Sequence, residues 1–170
     1  MNQTSAVWEW QDGSFDRAQL AQSVGGWHVS GRHGDIRYVV ALDRGFRCLS
    51  LEASCGDETC SLTRTPLGWL DADGAACPGG REAVDLDLSW SAVTNTFPIR
   101  RLMAEGRDSG RFDVLLIRLP DLSITVAQQT YARDGAAWRY ANATSGFSAL
   151  LTVDKEGLVT EYPGLCSRRI

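Results

Sequence analysis

Apolar and polar residues alternate along most of this chain, a pattern that is typical of β-strands. The stretch DIRYVVAL (35–42) places its isoleucine, tyrosine, second valine and leucine on one face. The same alternation recurs in RCLSLEAS (47–54), AVDLDLSW (83–90) and FSALLTVD (147–154). Turn-forming pairs such as Asp-Gly and Gly-Gly separate these stretches at short intervals. The pattern therefore predicts a mainly β fold, an antiparallel meander of strands about six to ten residues long.

Helical spacing is scarce in the sequence. We expect a short helix in only two stretches, SFDRAQLAQS (14–23) and SWSAVTNT (89–96). DADGAACPGGRE (71–82) is rich in glycine and small residues, which predicts a long loop or flap between two groups of strands. Neither side of this loop is long enough to form its own core comfortably, so we expect a single domain over residues 1–170.

Two stretches depart from simple alternation. FDVLLIRLP (112–120) is apolar on both faces, which predicts a strand covered on both sides and gives a first indication of an apolar concavity. TNTFPIRRL (94–102) is predicted to be extended, because Pro98 disfavours a helical conformation at the residue before it.

Arg100 and Arg101 would point to opposite faces of such an extended segment. A buried arginine is costly without a partner and tolerable beside a carboxylate. Asp85 and Asp87 share a face of a nearby predicted strand. We therefore expect Arg101 to be enclosed and to pair with one of these aspartates, and Arg100 to lie nearer to solvent or to a pocket rim. The pair either locks the sheet or leaves an arginine to hold a ligand, since its forked donors suit phosphate, carboxylate and sugar hydroxyls.

The composition is that of an ordinary globular protein, 44% hydrophobic and 22% charged. The formal net charge of -4 argues against nonspecific binding to nucleic acid or to an acidic membrane surface. The N-terminal sequence MNQTSAVWEW lacks the pattern of a signal peptide, and no apolar window of about 18 residues could span a membrane. We expect a cytoplasmic protein with no transmembrane segment, no nucleic-acid partner and reduced cysteines.

The sequence contains no GxSxG elbow, no HExxH, no phosphate-binding P-loop and no dinucleotide-binding fingerprint. We therefore predict no catalytic residue, no metal site and no cofactor. Asp85 and Asp87, or His28, are the residues that could supply acid–base chemistry, the two aspartates by analogy with glycosidases.

Four motifs follow one another in the second half of the chain. They are VDLDLSWSAVTNTFPIRRL (84–102), QQTY (128–131), WRY (138–140) and GFSALLTVDKEGLVTEYPGL (146–165). In this order they resemble the putative glycolipid-binding family of bacterial proteins. The resemblance runs over nearly the whole chain and is weaker before residue 35. One departure is Phe46, where that family more often has tryptophan.

The resemblance implies a strongly curved antiparallel sheet or half-barrel, similar in shape to bacterial carriers of lipoproteins and lipids. Its concave face would have an apolar trough that binds an amphipathic small molecule such as a glycolipid, without catalysis. Two alternatives are an enzyme acting on a lipid or sugar derivative through Asp85 and Asp87, and a protein-interaction module that pairs through an exposed sheet edge. The residues that match the family's motifs and that we expect to contact the ligand are Asp85, Asp87, Asn95, Arg100, Arg101, Gln129, Tyr131 and Tyr140.

Overall fold

The structure is a computed structural model and describes residues 3–169. Within these residues the chain forms fourteen strands, one 3-10 helix (Ala92–Asn95) and one α-helix, α1 (Thr96–Ala104). The strands are β1 (Gln3–Trp10), β2 (Phe15–Gln22), β3 (Gly26–His33), β4 (Ile36–Asp43), β5 (Cys48–Cys55), β6 (Glu58–Thr65), β7 (Gly68–Leu70), β8 (Asp85–Leu88), β9 (Ser109–Arg118), β10 (Ser123–Asp134), β11 (Ala137–Asn142), β12 (Phe147–Val153), β13 (Val159–Tyr162) and β14 (Cys166–Arg169).

All of these strands belong to one sheet, in the order β7-β6-β5-β4-β3-β2-β1-β14-β13-β12-β11-β10-β9-β8. Neighbours pair antiparallel throughout, except that β8 pairs parallel with β9. The predicted loop, which spans residues 71–84 in the structure, joins the two edge strands β7 and β8. The sheet is curled but does not close into a barrel. The predicted mainly β, curved meander is therefore confirmed, with one parallel pair at its end.

The hollow of the curled sheet is filled by the segment that contains both helices. Trp90, Val93, Phe97, Ile99 and Leu102 are each at most 1% exposed. They belong to one apolar cluster with inward-facing residues from both halves of the sheet. The expectation of an open apolar trough is therefore wrong, because the chain covers most of the sheet's apolar concave face with its own side chains.

The prediction that residues 94–102 are extended is also wrong. They form the end of the 3-10 helix and most of α1, in which Pro98 is the third residue. Backbone N–H groups in the first turn of a helix have no acceptor within that helix, so proline there costs no hydrogen bond. The helical stretch predicted over 89–96 exists, but it begins at Ala92 and runs on to Ala104. No helix within residues 3–169 has the length and the apolar character to cross a membrane.

β2 occupies the other stretch predicted to be a helix. Its alternate residues Asp16, Ala18 and Leu20 are buried. Asp16 is a polar residue at a buried position, so the alternation of apolar and polar residues that predicts a strand is interrupted in the sequence. Its carboxylate accepts hydrogen bonds from the Tyr38 hydroxyl (2.8 Å) and from Ser91 Oγ (2.5 Å). These bonds tie the sheet to the start of the helical segment.

β9 is buried on both faces, as the sequence predicts. Leu115 and Ile117 belong to the main core, whereas Val114 and Leu116 pack with Ala127 on the opposite face. This second face continues across β8, β10 and β11 and carries five of the eight predicted ligand-binding residues: Asp85, Asp87, Gln129, Tyr131 and Tyr140.

Candidate functional site

β8 directs Asp85 and Asp87 to the same face of the sheet, but their surroundings differ. Asp85 is 1% exposed and accepts two hydrogen bonds from the guanidinium of Arg101, from Nη1 at 2.9 Å and from Nη2. Nη1 also donates to the backbone carbonyl of Phe46 (2.6 Å). The expectation that Arg101 is enclosed and pairs with one of the two aspartates is confirmed. The arginine reaches Asp85 from α1, however, and not from a neighbouring strand.

The carboxylate of Asp87, by contrast, accepts its hydrogen bonds from neutral side chains. Its Oδ1 accepts a hydrogen bond from Thr94 Oγ1 (2.9 Å), and its Oδ2 accepts one from Gln129 Nε2 (2.5 Å). Burial raises the pKa of Asp87 above its ordinary value, and these two hydrogen bonds oppose the shift. A carboxylate has about four lone-pair sites, so this one can accept further hydrogen bonds from a ligand.

Asp87 lies on the wall of a cavity of about 220 Å³ beside the 3-10 helix. Asn95 and Tyr140 also line this cavity, which we call the Asp87 cavity. Its volume is that of about seven molecules of liquid water. It therefore has room for a small polar group such as one sugar ring.

A series of hydrogen bonds behind the cavity wall fixes the side chains of Asp87 and Asn95. The Tyr131 hydroxyl donates to Asn95 Oδ1 (2.9 Å) and lies 3.3 Å from Gln129 Oε1, while Gln129 donates to Asp87. Burial raises the pKa of Tyr131 well above its ordinary value, so its hydroxyl remains a donor. Gln129 and Tyr131 do not line the cavity. They hold its wall in place, whereas Asp87 and Asn95, at the two ends of this series of hydrogen bonds, reach the open space.

Aromatic rings form the other side of the Asp87 cavity. The ring centre of Tyr140 lies 5.3 Å from that of Tyr131, 6.0 Å from Tyr162 and 6.3 Å from Phe147. Trp10 also lines the space, and its indole N–H has no acceptor among residues 3–169. Aromatic faces pack against the C–H surface of a sugar, and the carboxylate and amide bind its hydroxyl groups. The lining is thus suited to a sugar.

Arg100 and Arg101 line a second space, a groove of about 480 Å³. The groove lies between α1, the β4–β5 loop and the β12–β13 loop. We call it the Arg100 groove, and its lining consists of Arg44, Gly45, Phe46, Arg100, Arg101, Met103, Ala104, Lys155 and Glu156. The side chain of Arg100 is 14% exposed, which agrees with the predicted position at a pocket rim. Of the eight predicted residues, three line the Asp87 cavity, two line the Arg100 groove, and Asp85, Gln129 and Tyr131 line neither, so the eight do not form one site.

Several lining residues were not singled out in the sequence. Phe147 looks like an ordinary strand residue, and it meets Trp10 at the cavity only because β1 and β12 lie on either side of β13 and β14. Lys155 has one feature in the sequence that could have pointed to it as a site residue, since it is the only lysine in the chain. That signal becomes meaningful once its loop is seen to pack beside α1.

Comparison with known proteins supports the resemblance stated above. A search of curated proteins found no match. The chain is similar to the crystal structure of a DUF1089 family protein from Pseudomonas aeruginosa, with 29% sequence identity and a TM-score of 0.69. The similarity covers 99% of this chain and 93% of that chain. The model of a family described as "putative glycolipid-binding" matches residues 6–168. This chain therefore belongs to the putative glycolipid-binding family.

Proposed function

We propose that this protein binds the sugar head of a glycolipid-type amphiphile in the Asp87 cavity and does not catalyse a reaction on it. The observation that carries the proposal is the position of Asp87, a carboxylate with lone pairs to spare in a wall that faces aromatic rings. Sugar hydroxyls donate to the carboxylate, and the C–H face of the sugar packs on Tyr140 and Phe147. Membership of the putative glycolipid-binding family supports the same class of ligand.

The state of Asp85 favours binding over hydrolysis. Most glycosidases use two carboxyl groups, one as an acid and one as a base or nucleophile. Arg101 holds Asp85 in a buried ion pair, which leaves Asp87 as the one member of the aspartate pair at the cavity. His28, the other candidate base, is exposed on β3 and is not among the lining residues.

The sheet edges favour ligand binding over pairing with a partner chain. The edge strands β7 and β8 have three and four residues, and the loop that follows β7 pairs back onto it through a bridge between Leu70 and Ala76. Short, covered edges are a common protection against edge-to-edge association.

The substitution Asp87→Asn tests the proposed function. Octyl β-glucoside, used below its micellar concentration, is the probe, and isothermal titration calorimetry gives its affinity. A hydrogen bond to a charged acceptor contributes about 1.5–3 kcal/mol, so we expect binding to weaken about tenfold or more. Since the ionised carboxylate is the acceptor, the affinity of the unaltered protein should also fall as the pH is lowered through the raised pKa of Asp87.

Asp113→Asn is the matched control. Asp113 also accepts a hydrogen bond from a glutamine, Gln128 (3.0 Å), but it lies on the opposite face of the sheet. This variant should bind octyl β-glucoside like the unaltered protein. The proposal fails if the unaltered protein does not bind the probe, or if Asp87→Asn and Asp113→Asn have the same affinity.

A further inference from the structure

We propose that the Arg100 groove is a second binding site, which holds the anionic, phosphate-type head group of an amphiphile. The groove and the Asp87 cavity have no lining residue in common. At about 480 Å³, the groove is within the usual size range of small-molecule sites. The proposal therefore goes beyond the sugar site and does not depend on it.

The groove has an excess of positive charge. Of its four cationic side chains, Arg100 and Arg101 each lie beside a carboxylate. The other two, Arg44 and Lys155, form no ion pair with any residue between 3 and 169. The whole chain carries a formal net charge of -4, so these two unpaired cations make the groove a local exception that attracts anions.

Contacts with two aromatic rings and a backbone carbonyl fix the guanidinium of Arg100, which can still donate further hydrogen bonds. Its guanidinium carbon lies 4.6 Å from the ring centre of Phe46 and 5.3 Å from that of Trp27. Its Nε donates to the backbone carbonyl of Glu156 (2.5 Å), while Nη1 makes no hydrogen bond within the described part of the chain. A guanidinium fixed in this way loses little freedom when it binds an oxyanion, which favours affinity.

Phe46 keeps an unusual backbone conformation at this groove. Its φ is +62°, in a region that bulky residues rarely adopt. The carboxylate of Asp43 accepts from two backbone N–H groups of the same turn (2.8 and 2.9 Å), and Arg101 donates to the carbonyl of Phe46. Strained residues held by their surroundings in this way cluster at binding sites. Here the strained turn carries the ring against which Arg100 lies.

The apolar part of the lining favours an amphiphile over a free inorganic anion. Met103 is 41% exposed on α1 and lies in the groove together with Phe46 and Ala104. In the proposed complex the oxyanion contacts Arg44 and Lys155, and the first methylene groups of the tail cover the methionine. Burial of this apolar surface adds to the affinity that charge alone supplies.

Octyl phosphate is the probe for this site, and isothermal titration calorimetry at two salt concentrations is the measurement. Arg44→Gln and Lys155→Gln should each weaken binding about tenfold and reduce its dependence on salt. Arg37→Gln is the matched control. It makes the same charge change on an exposed residue near the other end of β4, about 23 Å away along the strand.

The proposal is overturned if neither Arg44→Gln nor Lys155→Gln weakens the binding of octyl phosphate, or if Arg37→Gln weakens it equally. Inorganic phosphate that binds as tightly as octyl phosphate would overturn the assignment to an amphiphile. The two proposed sites fail independently, because Lys155→Gln should leave octyl β-glucoside binding unchanged whether or not Asp87→Asn abolishes it.

Discussion

The substitution Arg101→Leu tests whether the buried ion pair holds the fold together. It removes a guanidinium that donates twice to Asp85 and once to the carbonyl of Phe46, and that lies 5.0 Å from the ring centre of Phe112. It leaves Asp85, 1% exposed, as a buried carboxylate without its counter-charge. Breaking one side of such a pair costs about 3–5 kcal/mol. This is a large part of the total of about 5–15 kcal/mol that stabilises a typical domain.

Urea unfolding, followed by tryptophan fluorescence, measures the loss. With a slope of about 2 kcal/mol per molar urea, the midpoint should fall by about 1.5–2.5 M. Arg107→Leu is the control, because Arg107 pairs with Glu105 on the surface, where both side chains are about half exposed, and such pairs contribute about 1 kcal/mol or less. Equal midpoints for Arg101→Leu and Arg107→Leu would refute the structural role of the pair.

A double-mutant cycle separates the pair from its surroundings. If Arg101→Leu is costly because it strands a charge, then adding Asp85→Asn should recover part of the lost stability. Strictly additive losses in the double variant would show that the cost comes from packing and not from the unpaired carboxylate.

Two further changes test the packing around β2, β3 and β4. Burial raises the pKa of the Asp16 carboxyl to about 6 from 3.8, so the folded state binds a proton at this carboxyl more tightly than the unfolded state does. The free energy of unfolding should therefore fall by about 3 kcal/mol as the pH rises from about 4 to above 6. Asp16→Asn should remove that part of the pH dependence in urea unfolding, and parallel pH profiles of the two proteins would contradict the assignment. In Gly31→Ala the new Cβ would lie 2.1 Å from Cζ of Tyr38, so we expect the free energy of unfolding to fall by about 1–3 kcal/mol. Gly25→Ala is the control, because a Cβ at Gly25 would have no other atom within 4 Å. Equal midpoints for these two alanine variants would contradict the predicted clash.

The meander could be predicted because each hairpin joins strands that follow one another in sequence. Alternation and a tight turn are sufficient for such a link, and both are visible in the residues. The parallel pairing of β8 with β9 has no comparable signal. These strands are joined through residues 89–108, and their own patterns do not distinguish a parallel neighbour from an antiparallel one.

The helix could not be predicted from Pro98, because the effect of a proline depends on its position in the helix. In a helix interior it would break the structure, whereas as the third residue of α1 it is tolerated. The pairing of Arg101 with Asp85 could be predicted even so. That argument depends on the cost of an unpaired buried charge, which is the same on a strand and on a helix.

The helical segment explains why the protein has two separate spaces instead of one open trough. It fills the hollow with Phe97, Ile99 and Leu102, so open volume remains beside the 3-10 helix and beside the later turns of α1. The Asp85–Arg101 pair lies between these two spaces. Asp85 is two residues from Asp87 on β8, about 7 Å along the strand, while Arg101 lines the groove. The pair therefore fixes α1 against β8, the two elements that supply wall residues to the Arg100 groove and to the Asp87 cavity. In this way it can shape both spaces although Asp85 touches no ligand.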